Sequence, residues 1–368
     1  MLELLGLTKL YDGTPAIQDV SLTVRDDEYL TLLGPSGSGK TTLLRLIAGL
    51  ERPDAGRVRM NGTDVTALPA HRRSLGFVQQ NYALFPHMSV ADNVAFGLRY
   101  REVDPVSDAA EVARRVASML QLVGLTGLDE RMTGQISGGQ KQRVSLARTL
   151  VTEPRFCLLD EPIGALDANL RERMTVELRR IREALGVTFI HVTGNEAEAL
   201  AMGDRMVVLD EGSVIMIDEP DVVFGRPDTV RVAKFLNAYN VFSGSAHGDK
   251  FGIGAHDLPL PPGAQGAAYY AVRFDTASIA RGHGTAPAGH AALPAKFITS
   301  EFMGAKVIYF LEKDTGGVVE VERHLSRADP VDYTKDEPVT VHWDLADVTV
   351  FDTDGRRIYS PDALAGAA

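Results

Sequence analysis

Cysteine is nearly absent from this chain. The single Cys157 among 368 residues excludes an internal disulfide framework and a cysteine-rich zinc centre. Positive charge is in deficit as well, with 38 Lys and Arg against 49 Asp and Glu and a formal net charge of -11. That balance argues against general adhesion to phosphate backbones or anionic lipid, and no nucleic-acid partner is expected. No run of about 18 apolar residues occurs, so no membrane-spanning helix is expected. The opening MLELLGLTKLYDG has no basic leader and meets Glu3 at once, so it reads as a cytoplasmic start rather than a secretory signal. What is present is an ordinary globular mixture, 45% hydrophobic and 24% charged, long enough for two domains with their own cores.

Residues 2 to 34 read as strands, and the apolar run Tyr29 to Leu33 ends in a glycine-rich turn before a helical pattern from Thr41 to Leu50. Residues 57 to 66 read as a strand with an Asn61-Gly62 turn. From about Val90 to Leu150 the pattern is mostly helical, with a helical subdomain placed at about 84–150. Strand-like runs return at Phe156 to Leu159, Val187 to Val192 and Arg205 to Leu209, the βαβ alternation of a parallel sheet. Composition changes near Tyr239, where Gly, Ala and Pro become frequent up to Ala295. Short alternating segments follow at Tyr269 to Phe274, Lys306 to Leu311, Val318 to Val321 and Pro338 to Trp343. The expected fold is an α/β P-loop nucleotide-binding domain over 1–237 followed by a small all-β, OB- or barrel-like domain over 238–368.

Gly34-Pro35-Ser36-Gly37-Ser38-Gly39-Lys40-Thr41 fits GxxxxGK[ST] between an apolar strand and a helix. Glycines let backbone N–H groups turn inward around β- and γ-phosphates, where a side chain would collide. The helix opening at Lys40 aims its positive end at the same anion, Lys40 adds a point charge, and Thr41 offers a hydroxyl to Mg²⁺. Thr42 follows in the same turn. Downstream, FCLLDEP is an apolar strand ending in Asp160 and Glu161. Asp160 suits a Mg²⁺ ligand and Glu161 a base for the attacking water. Cys157 inside this run reads as a core residue.

Gln135-Ile136-Ser137-Gly138-Gly139-Gln140-Lys141-Gln142-Arg143 precedes a helical run just before the carboxylate strand. Here the sequence resembles the ATP-binding subunits of ABC transporters, whose signature is LSGGQ. The resemblance implies that Ser137, Gly138, Gly139 and Gln140 face the γ-phosphate held by the opposite subunit, so that ATP is sandwiched between two chains. It further implies that Tyr11 stacks on adenine, that Gln80 reaches Mg²⁺ and the attacking water, and that Asp167 crosses between the two nucleotide sites. Tyr82 to Met88 resembles the segment lining the groove for a helix of the membrane subunit. The family's histidine in VTHDQxEA is Gly194 here, in Val192-Thr193-Gly194-Asn195-Glu196-Ala197-Glu198-Ala199. His191, three residues earlier, is expected on the opposite face of its strand, in a structural role.

The stretch Pro220 to Pro227, with VAKFLNAYN after it, resembles importers for sugars, polyols, glycerol phosphate, polyamines or ferric iron. Histidines 247, 256, 283, 290, 324 and 342 lie in the second domain at spacings that do not suggest a metal site. The resemblance implies an importer ATPase subunit binding ATP and Mg²⁺. Its partners would be transmembrane permease subunits, a second ATP-binding chain and, indirectly, an extracytoplasmic solute-binding protein. Its place would be the cytoplasmic face of the membrane, and its cargo is expected to be a sugar or polyol before polyamine or iron. Two rivals accompany it: a catalytically weak or regulatory subunit paired with an intact ATPase chain, motivated by Gly194, and a soluble non-transport ABC ATPase. The latter would usually carry two cassettes or a long coiled-coil insertion, and neither is visible.

Overall fold

The structure is a computed structural model that describes residues 1–101, 104–164, 168–282, 287–326 and 330–359. Asp167 and His283 lie outside the described residues. The chain divides into two compact units, Met1–Pro220 and Asp221–Ala368.

The first unit opens with strands β1 (Leu2–Tyr11), β2 (Thr14–Val24) and β3 (Tyr29–Leu33), then helix α1 (Lys40–Ala48), β4 (Ala55–Met60) and β5 (Thr63–Asp64). Asn61 and Gly62 both take positive φ, 51° and 77°, so the expected tight hairpin turn between β4 and β5 forms. After β6 (Leu75–Val78) come the helices α2 (Val90–Tyr100), α3 (Ala109–Leu122) and α4 (Gly138–Leu150). The chain continues through β7 (Phe156–Asp160), α5 (Ala168–Leu185), β8 (Thr188–Thr193), α6 (Glu196–Met202), β9 (Arg205–Asp210) and β10 (Ser213–Asp218). Two sheets result: an antiparallel one in the order β2-β1-β4-β5, and a six-stranded one in the order β10-β9-β3-β8-β7-β6. In the latter β9, β3, β8, β7 and β6 are parallel and β10 is an antiparallel edge.

The parallel strands are buried on both faces, as βαβ crossovers demand. Leu30, Leu32, Leu158, Ile190 and Val192 join the core formed with α1 and the antiparallel sheet. Tyr29, Cys157, Leu159 and Phe189 join a core formed with α2 to α5. This alternation fixes which end-of-strand residue faces which side.

The second unit begins with the short helices α7 (Pro220–Gly225) and α8 (Val230–Phe235). Its strands are β11 (Tyr239–Ser243), β12 (Ser245–His247), β13 (Lys250–Ile253), β14 (His256–Pro259), β15 (Tyr269–Arg273) and β16 (Ser278–Arg281). There follow β17 (His290–Phe302), β18 (Lys306–Lys313), β19 (Val318–His324), β20 (Pro338–Asp344), β21 (Val348–Phe351) and β22 (Arg357–Tyr359). They form three antiparallel sheets around one core, where Phe242 stacks on Trp343 at 5.8 Å and the Trp343 indole donates to the Tyr270 hydroxyl at 3.1 Å. The division falls ahead of the 237/238 boundary read from composition, because α7 and α8 are bonded into the β unit. The Tyr239 hydroxyl donates to the Phe224 carbonyl at 2.6 Å, and the Val230 amide donates to the Gly355 carbonyl at 2.9 Å.

Candidate functional site

Between β3 and α1 the chain turns through Gly34 to Gly39, and crowding determines where glycine must stand. A Cβ at Gly34 would lie 2.1 Å from the Leu209 carbonyl oxygen, and one at Gly39, where φ is +97°, would lie 2.3 Å from that of Ala16. Real Cβ atoms do not approach backbone oxygen so closely, so the loop exists only with hydrogen at these positions. Gly37 has φ +81° with open space around it and serves the turn alone. The Lys40 ammonium donates back to the carbonyls of Gly34 at 2.7 Å and Pro35 at 2.9 Å, which holds it inside the loop. Burial lowers its pKa, opposed by the nearby charges of Glu161 and Asp160. The Ser38 hydroxyl is buried with no hydrogen-bond partner, an orphan polar atom in a loop of inward-turned backbone.

At the end of β7, Asp160 accepts a hydrogen bond from the Thr41 hydroxyl at 3.1 Å, and burial raises its pKa against that bond. Glu161 has a left-handed φ of 45°, unusual outside glycine, and its carboxylate accepts from the Gln80 side-chain amide at 2.8 Å. Thus Thr41 meets Asp160 and Gln80 meets Glu161. A cavity of about 560 Å³ joins Gly34 to Gly37 and Gly39 to Thr42 with Tyr11, Ala16, Glu161 and Gly194. That volume is ordinary for a cofactor-sized ligand. A glycine cradle, a confined cation and a buried orphan hydroxyl fit nucleotide phosphates. Thr41, Asp160 and Gln80 supply the hard oxygen donors that would hold Mg²⁺ together with those phosphates. Among the described residues no group of three His, Cys, Asp or Glu could hold a metal by itself.

Strand β8 delivers two different residues. His191 lies on the helix-covered face with no exposure, its Nδ1 hydrogen-bonded to the Tyr29 hydroxyl at 2.9 Å, and burial depresses its pKa to about 3. Gly194, three residues on, lines the cavity, and a Cβ there would meet nothing within 4 Å. The odd offset puts the two residues on opposite faces. Asn195 caps α6, its side chain accepting from the Glu198 amide at 3.0 Å.

Ser137 caps α4 in a reciprocal box, accepting from the Gln140 amide at 3.3 Å while the Gln140 side chain accepts from the Ser137 amide at 2.8 Å. Ser137 and Gly138 are exposed, and the segment Ser137 to Gln140 does not line the cavity of its own chain. The sequence reading missed Ala16, because its role is a backbone carbonyl packed on Gly39, and a backbone contact leaves no residue-type signal.

Residues 17–164 match the ABC transporter family, and residues 270–351 match the TOBE domain. The sulfate/thiosulfate import ATP-binding protein CysA of Caulobacter vibrioides is 49% identical over 268 residues, 73% of this chain and 79% of that one. The chain belongs to the ABC transporter ATP-binding family. It is an ABC ATPase in which a TOBE domain follows the cassette. The spermidine/putrescine import ATP-binding protein PotA of Thermobifida fusca is 48% identical to this ABC ATPase over 233 residues, 63% of this chain and 60% of that one. Among solved structures, a dimeric ATP-binding cassette bound to ADP and Pi matches with a TM-score of 0.54 at 29% identity, over 60% of this chain and 99% of that one. The phosphate loop, Gln80, the Ser137 segment and the β7 carboxylates all fall within the matched stretch.

Proposed function

We propose that this ABC ATPase is the ATP-binding subunit of an importer for sulfate or thiosulfate. The observation that carries the cargo is the 49% identity with a sulfate/thiosulfate import subunit over most of both chains. The sugar or polyol expectation is thereby corrected: the relatives named above import sulfate/thiosulfate or polyamines. The ATPase chemistry rests on the chain's own residues. The loop from Gly34 to Thr41 holds the triphosphate and Lys40 neutralises its terminal charge; Thr41, Asp160 and Gln80 would hold Mg²⁺, which would supply charge neutralisation at the phosphates. Glu161, aimed by Gln80, takes the proton of the attacking water. Ser137 to Gln140, outside their own cavity and with Ser137 and Gly138 exposed, serve the site of a second ATP-binding chain, Tyr11 stacks on adenine, and Asp167 crosses between the two sites. Permease subunits then receive the closure of this pair at the cytoplasmic face, a solute-binding protein acting beyond them. No helix among the described residues is long and apolar enough to cross a membrane, so membrane attachment would come through those permease subunits.

Deleting the gene for this chain should abolish uptake of radiolabelled sulfate, and re-expression should restore it. The Lys40→Ala variant should fail to restore uptake and bind a fluorescent ATP analogue at least tenfold more weakly, about 1.4 kcal/mol. Loss of spermidine uptake with sulfate uptake intact would overturn the cargo, and undiminished nucleotide binding by the variant would overturn the phosphate loop.

A further inference from the structure

The chain just after Gln80 is held in a conformation it would not choose alone. Tyr82 and Ala83 both have left-handed φ, 61° and 47°, and a bulky residue such as tyrosine rarely adopts it. Such a turn persists only where its surroundings over-determine it. The surroundings are two side chains of α4. The Arg148 guanidinium donates to the Ala83 carbonyl at 2.7 Å and to the Tyr82 carbonyl at 3.0 Å. One turn earlier on the same helical face, the Ser145 hydroxyl donates to the Tyr82 carbonyl at 2.9 Å. Arg148 is half-buried, lies 5.5 Å from the centre of the Phe85 ring, and has no carboxylate partner among the described residues. Its fork therefore serves two neighbouring carbonyls and one aromatic face.

One end of this contact leads to the nucleotide site of this chain and the other to the segment proposed to serve a second chain's site. Gln80, two residues before the turn, donates to Glu161 at 2.8 Å. Helix α4, which carries Arg148, is the helix opened by the Ser137 cap. We propose that Arg148 is a positioning residue that fastens the turn after Gln80 to α4. The Gln80 amide is thereby kept on Glu161 and moves as one body with the Ser137 segment. This rests on the reading of the nucleotide site given above. A planar guanidinium can bridge adjacent carbonyls while lying on a ring, whereas a lysine ammonium is a point charge and cannot do both.

The first test needs no nucleotide. In the full-length chain, Arg148→Lys should speed amide hydrogen exchange over residues 82–85 at least tenfold while leaving β7 and α1 unchanged. In the assembled transporter the same variant should lower kcat about tenfold with the KM for ATP within twofold. Placed on a Gln80→Ala background, it should change kcat less than twofold, because residues acting through one another are not additive. Unchanged exchange, or an additive loss in the double variant, would overturn the proposal. Ser145→Ala, which removes one of three donors, should give the same pattern at about threefold should Arg148→Lys fail to fold. If wild-type chain failed to bind MgATP, the nucleotide reading would fall while the exchange result still decided whether Arg148 holds the turn.

Discussion

Strands β3 and β8 lie side by side in parallel, Leu33 beside Thr193, and both send their carboxyl ends to one cavity. The ends are built on opposite terms. After β3 the glycines at 34 and 39 are fixed by backbone carbonyls that leave no room for a methyl group. After β8, Gly194 stands in open space and is fixed by nothing around it. On the proposed reading, holding phosphate would thus be a property of the backbone path, which leaves no room for a Cβ at those two positions. The group presented from β8 is a side-chain choice, and this chain has made an unusual one.

The comparison breaks if the two ends respond alike. Gly34→Ala should weaken MgATP binding about a hundredfold, ~2.7 kcal/mol, because the loop must move off the Leu209 carbonyl and lose its inward N–H groups. Calorimetric titration of the full chain measures it, and affinity within threefold of wild type would show that crowding does not set the loop. Gly194→His should leave affinity nearly unchanged and raise turnover of the isolated chain at least tenfold. A well-placed donor at a developing charge is worth about a hundredfold or more, and Asn195 and Glu196, which also depart from the family pattern, reduce that gain. Wild-type turnover that is already fast and indifferent to the imidazole would show that hydrolysis here does not pass through position 194.

Contiguous motifs were legible: the phosphate loop, the capped Ser137 segment and the Asp160-Glu161 pair each keep their chemistry within a few residues. Features that depend on distant partners were not. The crowding of Gly39 by Ala16 and the grip of Arg148 on Tyr82 and Ala83 join positions 23 and about 65 residues apart, and neither involves an informative residue type on both sides. In the second unit the Gly-, Ala- and Pro-rich stretch masked β11 to β14 and part of the 13-residue β17. Pro294 looks like a strand breaker, yet it sits where β17 pairs with β20, before the pairing with β18 begins at Ala295, so its missing N–H interrupts no ladder on that second side. The composition, which changes only after Tyr239, puts residues 220–235 with the cassette, while the hydrogen bonds that place α7 and α8 come from Tyr239 and from residues near 355.

The smallest effect tests the buried end of β8 against its open end. His191 has no exposure, one hydrogen bond to Tyr29, and an Nε2 with no partner, so protonation would place an uncompensated charge in the core. Its pKa is held at about 3 by burial, below the ordinary value of 6.5. The sign follows directly: below about pH 6.5 the unfolded chain takes a proton at this position that the folded chain refuses until near pH 3. Stability from His191 is therefore complete above pH 6.5 and drains as pH falls through that window, at up to ~1.4 kcal/mol per pH unit for one proton. Replacing the ring with a neutral isostere of similar volume, His191→Gln, removes the linkage at the cost of some packing. Urea unfolding of the full chain between pH 6.5 and 4.5 should show the wild type losing stability more steeply than the variant by close to one proton. Gly194→His, exposed to the cavity and to solvent, should leave that slope unchanged. Parallel slopes for wild type and His191→Gln would mean that the folded protein accommodates the charge, and that the two faces of β8 differ less than their burial implies.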